Sequence, residues 1–290
     1  MDYPNPTIYV TVPTGLEKLS HSEITEKFSQ NLISTVISAG RIIITLDSTK
    51  SIPDTLKDLI TRARSIEHLH LVLFSFEVTE NDLFNDFTSN LLKNEKNFRD
   101  CIDIFRIVNC VKNESILPYR INVKESKKII DKNDFARKIS EALDSKFNFL
   151  CAELKEYVLV FSLDKVCNSI FFTIKLTGKT PLGLHPLNFS KKREKTAATM
   201  RPSLAYSLLR LLEIENGDFI IDPMSGSGMF CELAIKEFEK GFFFINCEIE
   251  EEAGEKAKRN MEGLESKGNK KYKNVFSFDV LFLFFNFSAY

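Results

Sequence analysis

The chain has 290 residues, of which 43% are hydrophobic and 27% charged, and its formal net charge is -1. That length suits two domains, and the apolar content is enough for a sizeable core. A net charge this close to zero excludes global attraction to nucleic acid, so any RNA surface has to come from local segregation of basic residues.

Residues 7–12 alternate into a strand with Ile8, Val10 and Val12 on one face, and Pro13-Thr14-Gly15 turns it toward a helix running to about Phe28. Strands follow at 32–37 and 41–46, joined by a tight Ser38-Ala39-Gly40 turn. Pro53-Asp54 opens a helix with Leu56, Leu59, Ile60 and Ala63 on one face, and 69–78 returns as a strand. This order predicts an α+β layer with helices on one face of a mostly antiparallel sheet. Residues 81–111 read as mainly helical. A second unit opens at 119–124, a period-two strand with Tyr119, Ile121 and Val123 inward. A helix capped by Asn133 or Asp134 follows, with Phe135, Ile139, Ala142, Leu143 and Phe147 as its buried stripe. Strands at 157–163 and 169–176 close this unit, and 178–186, rich in glycine and proline, reads as a linker.

The most informative stretch is 218–250. Phe219-Ile220-Ile221 is a run of the kind that forms a strand buried on both faces, and it ends at Asp222. Asp222-Pro223-Met224-Ser225-Gly226-Ser227-Gly228 supplies a turn whose glycines let backbone approach a ligand, before a helix at 229–240. A second strand at 241–247 delivers Glu248 and Glu250 at its end, where a carboxylate can accept hydrogen bonds from ribose hydroxyls. A lone Gly-x-Gly is usually only a turn; strand, turn, helix, strand and acid in succession point to a nucleotide-type cofactor. The turn lacks the third glycine of the dinucleotide pattern, and no Walker lysine follows it, which disfavours an enzyme using another nucleotide.

The turn resembles the first motif of class I S-adenosylmethionine methyltransferases, in the version used by enzymes that methylate exocyclic base amines. Ser225 stands where cysteine is usual. Leu184-His185-Pro186, the segment from Arg201-Pro202-Ser203-Leu204-Ala205 to Leu211, and the amino-terminal Val10 to Glu17 stretch together resemble the THUMP-domain tRNA guanine-N2 methyltransferases of eukaryotes. The resemblance implies an α+β THUMP module with a preceding small domain over 1–180, a basic linker over 181–200, and a partial α/β Rossmann-like methyltransferase domain over 201–290. It implies S-adenosylmethionine as cofactor, held by Asp222, Pro223, Gly226, Ser227, Gly228, Glu248 and Asp279, the last at the adenine ring. It also implies tRNA as substrate, gripped near its acceptor stem, and a small zinc-binding activator subunit as partner.

Two basic groups are candidates for RNA contact. Arg120, Lys124, Lys127, Lys128, Lys132, Arg137 and Lys138 crowd one strand, loop and helix, against Glu125, Asp131 and Asp134, and a mixed solvated surface is an equally good reading. Lys191, Lys192, Arg193, Lys195 and Arg201 are opposed only by Glu194. Such a run serves equally as a nuclear-import signal or a solvated linker; its position between the two halves favours phosphate contacts that hold RNA in register with the reacting methyl group.

The resembled enzymes hold the target amine with an acid or amide followed by Pro-Pro and an aromatic, and no Asp-Pro-Pro or Asn-Pro-Pro occurs here. The expectation is therefore a chain that stops short within the methyltransferase domain, its catalytic residues unassigned. A non-catalytic RNA-binding protein is the second reading. The six cysteines form no Cys-x-x-Cys pair and the four histidines are scattered, which argues against a metal site and for cysteines as small buried hydrophobes. No signal peptide opens at Met1, and no apolar run approaches the roughly 20 residues a bilayer needs, so the cytoplasm is the default compartment and no membrane is expected.

Overall fold

The structure, a computed structural model, describes residues 5–77, 83–112, 116–123, 131–166, 169–177, 194–196, 199–238 and 241–265. The chain divides into two units, Met1–Pro186 and Leu187–Tyr290.

Alternation makes the first unit's strands, and amphipathic helices cover the face those strands make apolar. In order they are β1 (Thr7–Thr11), α1 (Glu17–Phe28), β2 (Leu32–Ser38), β3 (Arg41–Leu46), α2 (Ile52–Arg62), β4 (His68–Glu77), α3 (Leu83–Lys93), α4 (Glu95–Val108), β5 (Leu117–Val123), α5 (Lys132–Lys146), β6 (Leu150–Ala152), β7 (Leu159–Val166) and β8 (Ser169–Lys175). Ile8, Val10, Ile42, Ile44, Leu71, Phe161 and Phe172 from the strands share one core with Ile24, Leu59, Phe87, Phe98, Phe105 and Leu143 from the helices. Each such side chain contributes roughly 1.5–3 kcal/mol on burial.

The expected two strand units are in fact one eight-stranded sheet, in the order β2-β3-β1-β4-β8-β7-β5-β6. β4 causes the merger, because β1 pairs antiparallel along one of its edges and β8 along the other. Periodicity reports which face a residue occupies and says nothing about which edges meet. The pairing is antiparallel except where β5 runs parallel to β6 and β7. β6 is too short to announce itself by periodicity.

The sheet's second face is also buried at its centre, where Tyr9, His70, Ser162 and Thr173 are fully enclosed. Tyr9 Oη donates to Asp164 Oδ2 at 3.0 Å, and Arg41 donates to Asp164 Oδ1 at 2.7 Å. β3 and β7 stand four strand spacings apart, roughly 19 Å across a flat sheet. An arginine and an aspartate cannot span that, so the sheet curls about this face. The cap of α5 is Asp131, whose carboxylate accepts from the Asn133 and Asp134 N–H groups, in place of the expected Asn133 or Asp134. A cap has to precede the N–H groups it serves. Cys101 and Cys231 are buried as expected of small hydrophobes, but Cys110 and Cys151 are exposed.

The second unit contains α6 (Pro202–Leu211), β9 (Phe219–Asp222), α7 (Met229–Glu237), β10 (Phe243–Asn246) and α8 (Glu251–Glu265). β9 and β10 pair in parallel, with Asp222 opposite Asn246. Ala205 and Leu209 of α6, Leu233 and Ala234 of α7 and Phe244 of β10 make its core, with Ile220 packed against it. The run 219–221 is therefore not buried on both faces: Phe219 is 68% and Ile221 60% exposed. Their side chains point away from α6 and α7, and Phe219 stacks on Phe243 with ring centroids 4.6 Å apart. No helix among the described residues is long and apolar enough to cross a membrane.

Candidate functional site

Because β9 and β10 run parallel and in register, the segments leaving them emerge at the same edge of the sheet. The glycine turn follows β9, and Glu248 follows β10. Backbone bonds tie the two exits: Cys247 N–H donates to Asp222 O at 2.8 Å, and Ser225 N–H to Cys247 O at 2.9 Å. Glu248 then reaches across, its Oε2 accepting from Gly226 N–H at 2.7 Å and its Oε1 from Glu250 N–H at 2.9 Å. Asp222 Oδ1 accepts from Met224 N–H at 3.1 Å.

Gly228 begins α7 with φ of +77°, and a Cβ there would lie 3.2 Å from Ala257 Cβ and 3.3 Å from Met261 Cε of α8. The positive φ favours glycine, and a side chain there would also press on α8. At Gly226 (φ +52°) there is room for a side chain, with Thr196 Oγ1 the nearest atom at 4.0 Å, so its constraint is conformational.

Burial pushes the Asp222 carboxyl above the usual carboxylate range; the Met224 N–H opposes the shift and the charge of Glu248 adds to it. The Ser225 hydroxyl is buried with no hydrogen-bond partner among the described residues. Two carboxylates and an orphaned hydroxyl beside a glycine turn form a hydrogen-bond-accepting, electronegative site. It suits a ligand that brings hydroxyls and positive charge, and a sulfonium nucleoside carries both.

Asp222, Gly226, Gly228 and Glu248, predicted as cofactor residues, are brought together here. Ser227 is buried, with its hydroxyl 3.4 Å from Thr199 Oγ1, while Pro223 is exposed. Asp279 lies outside the described residues. Among the basic candidates, Arg120 is exposed with its guanidinium 5.9 Å from the Tyr157 ring centre, and Lys195 and Arg201 are exposed. Arg137 pairs with Asp134 and Glu141, and Lys138 with Asp134, so that helix face is charge-compensated. Lys124, Lys127, Lys128, Lys191, Lys192 and Arg193 lie outside the described residues.

Sequence reasoning missed the segment 194–199, read there as linker. Glu194 forms a two-pronged ion pair with Arg259 of α8, at 2.8 and 2.9 Å. Thr199 Oγ1 accepts from Thr196 N–H at 2.8 Å, which closes a local turn beside Gly226 and Ser227. The Thr-x-x-Thr spacing was the only local signal of that turn; its partners lie far along the chain.

Residues 190–270 match the family model described as UPF0020, an RMKL-like methyltransferase domain. A search of curated proteins finds no match. Among solved structures, the chain is similar to TrmN from Thermus thermophilus, at TM-score 0.66 and 18% identity over 90% of this chain and 70% of that one. It is similar to a predicted N6-adenine-specific DNA methylase from Listeria monocytogenes, at TM-score 0.61 and 14% identity over 89% and 71% of the two chains. SMU.472, a methyltransferase-like protein complexed with SAH, gives TM-score 0.61 and 13% identity over 94% and 75%. At these identities the likeness is one of fold.

Proposed function

We propose that the protein is an S-adenosylmethionine-dependent RNA methyltransferase acting on guanine N2 of tRNA. The observation that carries the cofactor part of this is the placement of Asp222 and Glu248 on either side of the glycine turn, with Glu248 bonded to Gly226 N–H, within the segment that matches a methyltransferase-domain model. The SAH held by SMU.472, a protein of similar fold, supports the choice of cofactor. S-adenosylmethionine supplies a methyl group already activated on a sulfonium, so the protein's task is alignment and a field that tolerates the cation.

Glu248 accepts from the ribose hydroxyls, and its bond to Gly226 N–H holds the carboxylate for that role. Asp222, Pro223, Gly226, Ser227 and Gly228 line the methionine end, and Asp279 contacts the adenine. The first unit is the THUMP module with its small domain. It grips the tRNA acceptor region by shape and phosphate, because the major groove of an RNA helix hides its base edges. The target base is extruded to reach the methyl group. Arg120, Lys124, Lys127 and Lys128 on the first unit, and Lys191, Lys192, Arg193, Lys195 and Arg201 before α6, are the phosphate contacts. A small zinc-binding activator subunit docks on the methyltransferase domain.

The test is to incubate the protein with unmodified tRNA, labelled S-adenosylmethionine and the activator subunit, then digest the RNA to nucleosides. N2-methylguanosine would bear out the enzyme reading. N6-methyladenosine would move the target to adenine. No product, with tRNA binding intact, would return the second reading, a non-catalytic RNA-binding protein.

A further inference from the structure

We infer that Asn260, on α8, is a positioning residue for the cofactor site: it clamps a strap, whose described residues are 194–196 and 199, onto the glycine turn. The inference rests on the cofactor reading above. The Asn260 amide joins three segments that are remote in sequence. Its Oδ1 accepts from Glu194 N–H at 3.0 Å, and its Nδ2 donates to Glu194 O at 3.1 Å and to Ser227 O at 3.0 Å. Both amide hydrogens are spent, and the residue is only 9% exposed. A buried asparagine committed wholly to main-chain groups sets where those groups lie.

The neighbours on the same helix face point the same way. Ala257 and Met261 fill the space over Gly228, so positions 257, 260 and 261 form one surface against the turn. Arg259 adds a second fastening through its ion pair with Glu194. The strap then lies along the turn, with Thr196 nearest Gly226 and Thr199 nearest Ser227. Glu248, by contrast, is held by Gly226 N–H and its own loop, with no bond to the strap among the described residues. Loosening Asn260 should therefore disturb the part of the site beside Gly226 and Ser227 most, while Glu248, even if its Gly226 bond weakens, keeps the Glu250 N–H bond and the Cys247–Asp222 tie at its strand exit. On the cofactor reading these are the methionine end and the ribose end.

The experiment compares binding of S-adenosylmethionine and of adenosine to the full chain, wild type and Asn260→Ala, by calorimetry. Hydrogen exchange at residues 194–199 is measured on the same ligand-free samples. Losing the clamp breaks three hydrogen bonds, one buried and two part-buried, and S-adenosylmethionine affinity should fall about 10- to 100-fold while adenosine affinity changes less than about threefold. Exchange in the strap should rise without ligand. Arg259→Ala, which removes only the exposed fastening, should show the same selectivity at about two- to threefold; it carries the test if Asn260→Ala fails to fold. Equal losses for both ligands would mean Asn260 merely supports the fold and would overturn the inference. So would unchanged S-adenosylmethionine affinity in both variants, whatever the exchange shows. Absence of S-adenosylmethionine binding to wild type, with the strap loosened by Asn260→Ala, would instead sink the cofactor reading and the positioning role with it, leaving only a structural clamp.

Discussion

Glu248 and Asp222 are two carboxylates whose neutralisation should weaken ligand binding in both cases and, at Asp222 alone, steady the fold. Glu248 is anchored by Gly226 N–H and offers its remaining acceptor capacity to a ribose. Glu248→Ala should weaken S-adenosylmethionine binding by about 1.5–3 kcal/mol in calorimetry, and unchanged affinity would discard the assignment. Asp222 is held above the usual carboxylate range by burial and by Glu248, against the Met224 N–H. A raised folded-state value means its contribution to stability is fully present below the unfolded value of about 3.9 and is lost as pH rises through the folded one. Asp222→Asn keeps an acceptor for Met224 N–H and removes that loss. The second unit of this variant should thus be at least as stable as wild type near neutral pH by thermal unfolding. A cation in the site favours the charged carboxylate, so wild-type affinity for S-adenosylmethionine should increase over the same pH window, and in Asp222→Asn it should be weaker and flat.

At the level of elements, α1 is fastened in a way its periodicity does not disclose. Ser20 and Glu23 are fully buried on the same helix as Ile24 and Phe28. Glu23 accepts from Lys27 at 2.6 Å, from the Arg64 and Ser65 N–H groups at 2.9 Å each, and from the Ser65 hydroxyl. Burial pushes its carboxyl up, yet Lys27, Ser65 and the Arg64 N–H together outweigh that and hold it below the usual range. Its stabilisation is therefore present above the unfolded glutamate value of about 4.3 and is lost as pH falls through the folded value. Glu23→Ala strands the two backbone donors, and urea denaturation should show a loss of about 3 kcal/mol, narrowing at acid pH. An apolar count places α1 on the sheet, but the partners at positions 64 and 65 arrive by tertiary packing after α2.

Across the whole molecule, the two units make separable predictions. In the first, Asp164 is 1% exposed and joins Tyr9 of β1 to Arg41 of β3 across the curled sheet. Asp164→Ala leaves a part-buried guanidinium and a buried phenol without that partner, and should destabilise this unit by about 3–5 kcal/mol in chemical denaturation. In the second, the basic run before α6 is tested by salt. Converting Lys191, Lys192, Arg193 and Lys195 to Ala should weaken tRNA binding and lower the slope of log affinity against log salt by roughly 0.7–0.9 for each phosphate no longer neutralised. An unaltered slope would leave the run a linker.

Local pattern alone determined most of the elements and half of the candidate site. The strand bounds at 41–46, the helix ending at Phe28, and the succession of strand, glycine turn, strand and Glu248 all depend on neighbours within a few residues, where backbone sterics and alternation act. The tertiary structure decided what required distant edges to meet. It made one sheet from two strand groups through β4, exposed Phe219 and Ile221 by placing α6 and α7 on the opposite face, and turned residues 194–196 and 199 from linker into a strap held at Glu194 by Asn260. Groups 66 or 123 positions apart, as the Glu194 main chain to Asn260 and the Arg41 side chain to Asp164, leave no periodic trace; their pairing is set by where the packed backbone brings their hydrogen-bonding groups.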